Sequence, residues 1–216
     1  MMNITSSIYT LELGPMENFV YLIHDHASAT AAVIDPAWNV AEVIKLAKEK
    51  SLEISDILLT HTHYDHINGL PIILSAYPMA NIRLSGAEAK FWRQTMNNFI
   101  LHQDNEIFHL GNTAMTALHT PGHTPGSTCY YLNNQLITGD TLFISGCGRC
   151  DLDGGNPEQL YYSLQRIKTT LPPQTEIFPG HYYGKTPTAT LAELVQNNPY
   201  LRFNNVKDFV QFRTDG

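Results

Sequence analysis

The stretch LLTHTHYDHINGL, residues 58–70, concentrates coordinating side chains at the end of an apolar run. Three histidines and one aspartate fall within six positions. His61 and His63 lie two residues apart, so in an extended segment they point the same way. Asp65 and His66 follow where the chain must turn towards a helix. The segment therefore offers a His pair and an Asp–His pair side by side, which indicates two adjacent metal ions rather than one.

The donor atoms of this segment indicate which metals it suits. Imidazole nitrogen and carboxylate oxygen together suit zinc, and also iron or manganese. The alternative is a set of solvated loop histidines, which is the usual explanation for one isolated histidine. Four coordinating residues in six positions at a strand end favour the metal site.

Three later positions supply the same kinds of side chain, each after a strand-like run. His123 lies in HTPGHTPGS between two Pro-Gly pairs. Proline fixes φ and glycine permits positive φ, so this loop is expected to be rigidly bent. Asp140 ends the apolar run of LITGDTLF, and His181 follows the strand-like run and the Pro-Gly pair of IFPGHYYG. The three together are expected to complete the metal site.

The 216-residue chain alternates between strand-like and helix-like segments in two successive rounds. Short β-branched or aromatic runs predict strands, and apolar residues at helical spacing predict helices. The predicted strands are 9–13, 19–24, 31–34, 54–59, 113–118, 128–132, 135–138 and 175–178, and the predicted helices are 40–50, 67–77, 157–171 and 186–196. Strands followed by helices, twice over, predict one domain spanning residues 1–216.

Charge and cysteine usage restrict the expected partners and compartment. The 13 Lys+Arg against 20 Asp+Glu give a net charge of −7 without a basic cluster, so we expect no nucleic-acid partner. We also expect no membrane association, because no apolar run is long enough to span a bilayer. The N-terminus lacks a signal-peptide pattern and there are only three cysteines, which indicates a cytoplasmic protein with reduced thiols. The sequence does not indicate an oligomeric state.

Five motifs, in this order along the chain, resemble the metallo-β-lactamase fold superfamily and within it the glyoxalase II-like branch. They are THTHYDH (60–66), TPGHTPGS (120–127), GDTLF (139–143), GCGRCD (146–151) and PGHYYG (179–184). The resemblance spans nearly the whole chain. It implies an α+β fold, a four-layer αββα sandwich, with the metal site at one edge of the two sheets.

The resemblance also implies how the ligands are shared between two metal ions. The seven positions divide into two triplets and one shared residue: His61, His63 and His123; Asp65, His66 and His181; and Asp140 between them. The expected cofactor is two Zn²⁺, with iron or manganese as alternatives. Two metals can lower the pKa of a shared water to give a hydroxide that attacks a carbonyl. Asp65 is then the expected catalytic residue that orients this nucleophile.

Two groups within the superfamily suggest different reactions. The chain is similar to stand-alone zinc hydrolases found with polyketide synthases, which act on acyl groups held by a carrier protein. It is also similar to persulfide dioxygenases, which use a single iron and oxygen. We expect a metal-dependent hydrolase that cleaves a small-molecule or carrier-protein-bound thioester. The alternative is a mononuclear iron persulfide dioxygenase.

The loop GCGRCDLDGG and the later PGHYYGK segment supply candidate substrate contacts. Arg149 is a candidate clamp for a carboxylate or phosphate, with an ion pair to a neighbouring acid as the alternative. Tyr182, Tyr183 and Lys185 are candidates from the other side, although tyrosines there can also serve packing. The CxxC spacing of Cys147 and Cys150 has no second pair, so a redox or metal-binding role is not expected.

Overall fold

The structure is a computed structural model that describes residues 5–214. Its strands form two six-stranded sheets, each with its strands in sequence order. The first sheet contains β1 (Ser6–Leu13), β2 (Asn18–Asp25), β3 (Thr30–Ile34), β4 (Glu53–Leu58), β5 (Asn81–Ser85) and β6 (Phe99–His102). The second contains β7 (Glu106–Leu110), β8 (Thr113–His119), β9 (Thr128–Leu132), β10 (Gln135–Gly139), β11 (Glu176–Pro179) and β12 (Ala189–Thr190).

Both sheets are mixed. In the first, β1 to β3 are antiparallel and β3 to β6 are parallel. In the second, β10 and β11 are parallel and the other pairs are antiparallel. The helices are α1 (Ala41–Glu49), α2 (Tyr64–Ile67), α3 (Leu70–Ala76), α4 (Gly86–Trp92), α5 (Pro157–Thr170), α6 (Leu191–Asn197) and α7 (Val206–Thr214), with a 3₁₀ turn at Pro199–Leu201.

Three apolar interfaces separate four layers. One joins the first sheet to α1 and α3, a second lies between the two sheets, and a third joins the second sheet to α5, α6 and α7. Strand β2 shows why both faces of a sheet are apolar. Phe19, Tyr21 and Ile23 face the second sheet, whereas Val20 and Leu22 face the helices. The predicted αββα sandwich is confirmed.

Two predicted helices differ from those observed. The segment 67–77 is interrupted, with α2 ending at Ile67 and α3 beginning at Leu70. Pro71 lacks an N–H, which suits the first turn of a new helix better than the interior of a long one. The helix predicted from 186 begins only at Leu191, because Thr190 pairs in β12 and caps α6 together with Glu193.

Sequence reasoning did not predict several strands and helices in the middle and at the end of the chain. Strands β5, β6 and β7, helix α4 and helix α7 were not predicted. The prediction of one domain over residues 1–216 extends beyond the described residues and stays a prediction. Within residues 5–214, no helix is both long enough and apolar enough to cross a bilayer.

A buried polar link joins the two sheets beside the loop that follows β4. Tyr130 of β9 is fully buried, and its hydroxyl donates to the carbonyl oxygen of Leu59 at 2.9 Å. His102, at the end of β6, places Nε2 3.2 Å from the same hydroxyl. Burial lowers the pKa of His102 to about 4. The folded protein therefore holds this imidazole neutral.

Replacing His102 by Gln should remove part of the protein's sensitivity to acid. Between pH 6.5 and about 4 the unfolded chain binds a proton that folded His102 does not, so lowering the pH destabilises the wild type. The contribution is on the order of 3 kcal/mol. Urea unfolding at pH 7.5 and 4.5 should show that the free energy of unfolding falls less in His102→Gln than in the wild type. The control His109→Gln changes an exposed histidine of β7 and should behave as the wild type does. An equal fall in the free energy of unfolding in all three proteins would contradict the prediction.

Candidate metal centre

The candidate site lies where strands of both sheets end. His61 follows the carboxyl end of β4, His123 follows β8, Asp140 follows β10 and His181 follows β11. The carboxyl ends of parallel strands meet at one edge of a sheet, which brings loops from distant parts of the chain together. All seven residues predicted as metal ligands lie in this one cluster.

The seven residues form the two predicted triplets with Asp140 between them. Within each triplet, the potential ligand atoms lie within 4.8 Å of one another: His61, His63 and His123 in one, and Asp65, His66 and His181 in the other. Two ring nitrogens in each triplet nearly touch: His63 Nδ1 and His123 Nε2 lie 2.9 Å apart, and the Nε2 atoms of His66 and His181 lie 3.2 Å apart.

Asp140 reaches both triplets. Its Oδ1 lies 3.3 Å from His66 Nε2, and its Oδ2 lies 3.6 Å from His123 Nε2 and 3.4 Å from His181 Nε2. Asp65 contacts the other two members of its triplet through Oδ2, which is 3.4 Å from the Nε2 atoms of both His66 and His181. The structure therefore places a carboxylate between two groups of imidazoles.

The unsatisfied polar atoms of this cluster fit a metal. His61 Nε2 and Asp140 Oδ1 are buried atoms without a hydrogen bond among the described residues. An orphaned buried donor or acceptor costs free energy, and a ligated ion removes that cost. Several nitrogens and carboxylate oxygens converging within a few ångströms form the donor set that suits zinc, iron or manganese.

The outer nitrogens of three histidines are held by oxygen atoms, which orients their rings. His123 Nδ1 donates to the carbonyl oxygen of Arg149 at 2.7 Å, and His181 Nδ1 donates to that of Met16 at 2.8 Å. His66 Nδ1 lies 3.1 Å from Asp35 Oδ2. Each contact leaves the Nε2 lone pair directed into the cluster, as metal-ligating histidines require.

The electrostatics of the first triplet and of Asp140 also fit ligation. Burial lowers the pKa of His61 well below its usual value, and the nearby His66 and His123 lower it further. Burial and, to a smaller extent, the nearby His123 lower the pKa of His63 to about 4. Burial alone would raise the pKa of Asp140, but His66 and His181 hold it well below its usual range. Burial alone would lower the pKa of His66 and of His181, but Asp140 raises both. Neutral imidazoles and an ionised carboxylate are the protonation states that bind metal, so an ion at the second triplet would displace protons from these two rings.

The glycine-rich loop after Asp140 supports the site through its backbone. A Cβ atom on Gly148 would lie 1.9 Å from the Asp140 carbonyl oxygen and 3.0 Å from Cγ of His123, so only glycine fits there. Burial raises the pKa of the Cys147 thiol to about 12 and also raises that of Cys150. Protonated thiols are poor ligands and nucleophiles, and the absence of a redox or metal role for this pair stays a prediction.

The predicted substrate contacts occupy different positions around the site. The Arg149 guanidinium pairs with Asp151 at 2.7 Å, and both side chains are about two-thirds exposed. Tyr182 packs on Phe19 between the sheets, with ring centroids 5.5 Å apart. Lys185 is exposed. A role for Arg149, Tyr182 or Lys185 in substrate binding stays a prediction.

Tyr183 lies against the site itself. Its ring stacks on His181 with centroids 4.7 Å apart and an interplanar angle of 8°, and the side chain is 42% exposed. Burial raises the pKa of Tyr183, and Asp140 and Asp65 raise it further. This tyrosine therefore forms part of the solvent-facing wall beside the second triplet.

Sequence reasoning missed two residues that orient ligands. Asp35 accepts hydrogen bonds from the backbone N–H and hydroxyl of Thr60 at 2.8 and 2.5 Å, besides contacting His66. Its position after β3, directly before a proline, could have indicated a site residue at the same sheet edge. Buried Asn18 donates from Nδ2 to Asp65 Oδ2 at 3.1 Å. No sequence signal marks Asn18, because a single asparagine after a turn is common.

The family of the chain follows from a comparison with known proteins. Residues 13–181 match the family described as the Metallo-beta-lactamase superfamily. The chain belongs to this superfamily. The matched range contains both triplets, Asp140 and the strands that carry them.

Relatives in the superfamily include several enzyme types. The chain is 34% identical to the probable polyketide biosynthesis zinc-dependent hydrolase PksB of Bacillus subtilis, over 99% of this chain and 95% of that protein. It is 36% identical to the probable hydroxyacylglutathione hydrolase glo2 of Schizosaccharomyces pombe, over 87% of this chain and 72% of that one. The crystal structure of ETHE1 from Myxococcus xanthus matches with a TM-score of 0.86 and 29% identity, covering 96% of this chain and 89% of that one.

Replacing His63 or Asp140 by Ala should sharply reduce the metal content of the purified protein. Each change removes ligand atoms, so zinc affinity should fall by more than roughly 100-fold, beyond what loss of an outer partner costs. Elemental analysis after equilibration with limiting zinc measures the effect. The exposed His109→Ala serves as a control, because it removes an imidazole outside the cluster. Wild-type zinc content in the His63 or Asp140 variant would contradict the assignment of that residue.

Proposed function

We propose that the protein is a zinc-dependent hydrolase that cleaves thioesters at a binuclear centre. The observation that carries this proposal is the position of Asp140, whose carboxylate reaches both triplets. Its Oδ2 lies near His123 of the first triplet and His181 of the second, and its Oδ1 lies near His66 of the second. A residue shared by two ions must reach both groups of ligands in this way. In this proposal His61, His63 and His123 would hold one ion, and Asp65, His66 and His181 would hold the other.

The names of the relatives support the reaction class. PksB carries the name of a zinc-dependent hydrolase in polyketide biosynthesis, and glo2 that of a hydroxyacylglutathione hydrolase. A hydroxyacylglutathione is a thioester, and the chain covers most of both proteins. In this proposal the acyl group is carried either by a small thiol or by a carrier protein.

The residues of the site have distinct tasks in this reaction. Zinc bound there supplies Lewis-acid polarisation of a carbonyl and a lowered pKa for bound water. Asn18 holds Asp65 through Oδ2, and Asp65 would orient the attacking water. Asp35 keeps the His66 ring in place, and Tyr183 limits the approach of solvent beside His181. No side-chain nucleophile is required.

The alternative function is a mononuclear iron persulfide dioxygenase. The likeness to ETHE1 of Myxococcus xanthus favours it, since this structure superposes over nearly the whole chain. The bovine relative at 35% identity is named a persulfide dioxygenase. The same donor atoms suit iron, so metal identity and reaction separate the two candidates.

Metal content and two activity assays on the same protein sample should decide between these functions. About two zinc ions per chain with turnover of acyl thioesters is the expected result, because each triplet offers three potential ligand atoms and Asp140 reaches both. Elemental analysis of protein purified without added metal measures the number of zinc or iron ions per chain. About one iron per chain, with oxygen uptake on a persulfide and no thioester turnover, would replace the hydrolase proposal by the dioxygenase.

Replacing Arg149 by Ala should raise KM for an anionic thioester and leave zinc content unchanged. The carbonyl oxygen that orients His123 belongs to the backbone and survives the change. The matched control is Asp151→Asn, which frees the guanidinium from its ion pair and should lower KM or leave it unaltered. Steady-state kinetics with both variants measure this. The same rise in KM in both variants would show that the ion pair orders the loop and that Arg149 binds no substrate.

A further inference from the structure

Glu88 is a fully buried carboxylate beside the first triplet, although it is not one of the seven ligand residues. It lies in α4, and its exposed fraction is 0%. Burial of a carboxylate is costly unless hydrogen bonds compensate, so its partners identify what it stabilises. These partners come from the two loops that carry the triplet.

The two oxygens of Glu88 divide their hydrogen bonds between the loops. Oε1 accepts from the backbone N–H and the hydroxyl of Thr62, at 2.7 and 2.8 Å. Oε2 accepts from the hydroxyl of Thr124 at 2.7 Å and from the backbone N–H of Gly126 at 3.0 Å. Thr62 lies between His61 and His63, and Thr124 directly follows His123. One side chain therefore links both halves of the triplet.

The surrounding backbone is built for close approach to this carboxylate. A Cβ atom on Gly126 would lie 2.1 Å from the backbone nitrogen of Glu88, so the loop reaches this position only with glycine. Ser85 completes the contact, because its hydroxyl caps α4 by accepting from the N–H of Glu88 and donates to the Gly126 carbonyl oxygen. The position of Glu88 is thus fixed independently of the histidines.

We propose that Glu88 is a positioning residue that sets the spacing between the His61–His63 loop and the His123 loop, and so tunes metal affinity at the first triplet. The proposal rests on the proposed metal centre. Glu88 acts through the backbone and hydroxyl groups of its partners. It binds no metal itself, because both of its oxygens are occupied by donors.

The geometry predicts which change disturbs this spacing. Glutamine has nearly the same shape, but its NH₂ group would face a backbone N–H that needs an acceptor, whichever loop it points to. One loop would therefore lose its anchor while the fold keeps its volume. Loss of such an outer partner costs roughly 10–100-fold in metal affinity.

Competition with a chromophoric chelator should show weaker zinc binding by Glu88→Gln, by roughly 10–100-fold. The matched control is Asp25→Asn. Asp25 is also fully buried and accepts from the hydroxyls of Ser28 and Thr113, each at 2.7 Å, away from the triplets. Both variants are expected to lose stability in urea, but only Glu88→Gln should lose zinc affinity. Equal zinc affinity in Glu88→Gln and the wild type would overturn the proposal.

The loss should also be confined to one triplet. NMR of the histidine ring nitrogens during zinc titration should show His123 responding at higher zinc in Glu88→Gln, while His181 responds as in the wild type. Equal weakening at both histidines would overturn the positioning role. If the wild type binds no zinc at all, both the metal centre and the role of Glu88 fail. If the wild type binds zinc and Glu88→Gln binds it equally well, only the role of Glu88 fails and the metal centre stands.

A milder pair of variants keeps the test decisive if Glu88→Gln does not fold. Thr124→Ser retains the hydroxyl that donates to Glu88, whereas Thr124→Val replaces it by a methyl group of similar size. Zinc affinity should be close to that of the wild type in the Ser variant and lower in the Val variant. Equal affinities in the two variants would overturn the proposal.

Discussion

The carboxylate of Asp140 lies between two groups of imidazoles, and this buried electrostatic contact constrains the surrounding structure. Five histidines and two aspartates lie within a few ångströms of one another. Like charges repel and burial removes water from each group, so opposite charges and hydrogen bonds must compensate. Accordingly, the pKa of Asp140 lies well below its usual range, and the pKa values of His61 and His63 are also lowered. The fold must therefore supply partners for every outer nitrogen while it leaves the inner atoms for an ion.

Those partners come from parts of the chain that are far apart. The carbonyl oxygens of Met16 and Arg149 and the carboxylate of Asp35 orient three rings, although they precede or follow those histidines by up to 165 residues. The two sheets bring them together because their strands end at a common edge. Apolar interfaces on both faces of each sheet make this edge rigid, so the ligand positions depend on the packing of all four layers.

Two carboxylates outside the ligand set hold the loop after β4 from different sides. Asp35 anchors Thr60, before the first histidine, and Glu88 anchors Thr62, between the first two. The backbone of this loop is thereby fixed at alternate residues, which leaves His61 and His63 facing the same way. The same principle of rigid support accounts for the glycines of the later loops, where side chains would collide with ligand-bearing backbone.

The residue pattern by itself predicted the candidate ligands and most of the strands, because spacing of two along a strand and Pro-Gly punctuation are local properties. The four-layer sandwich was expected from the resemblance of five motifs to a known superfamily. The residue pattern did not determine α4, β5 or β6, whose short apolar runs carry no distinct period, nor the break before Pro71 within a continuous apolar stretch. It also did not determine Asn18, Asp35 or Glu88 as supports of the site. Asn18 and Glu88 are ordinary polar residues in sequence, and only the position of Asp35 after a strand hints at the site. The role of each arises when tertiary packing buries it against a loop from elsewhere. The candidate ligands are encoded locally, whereas their orientation is a property of the assembled sheets.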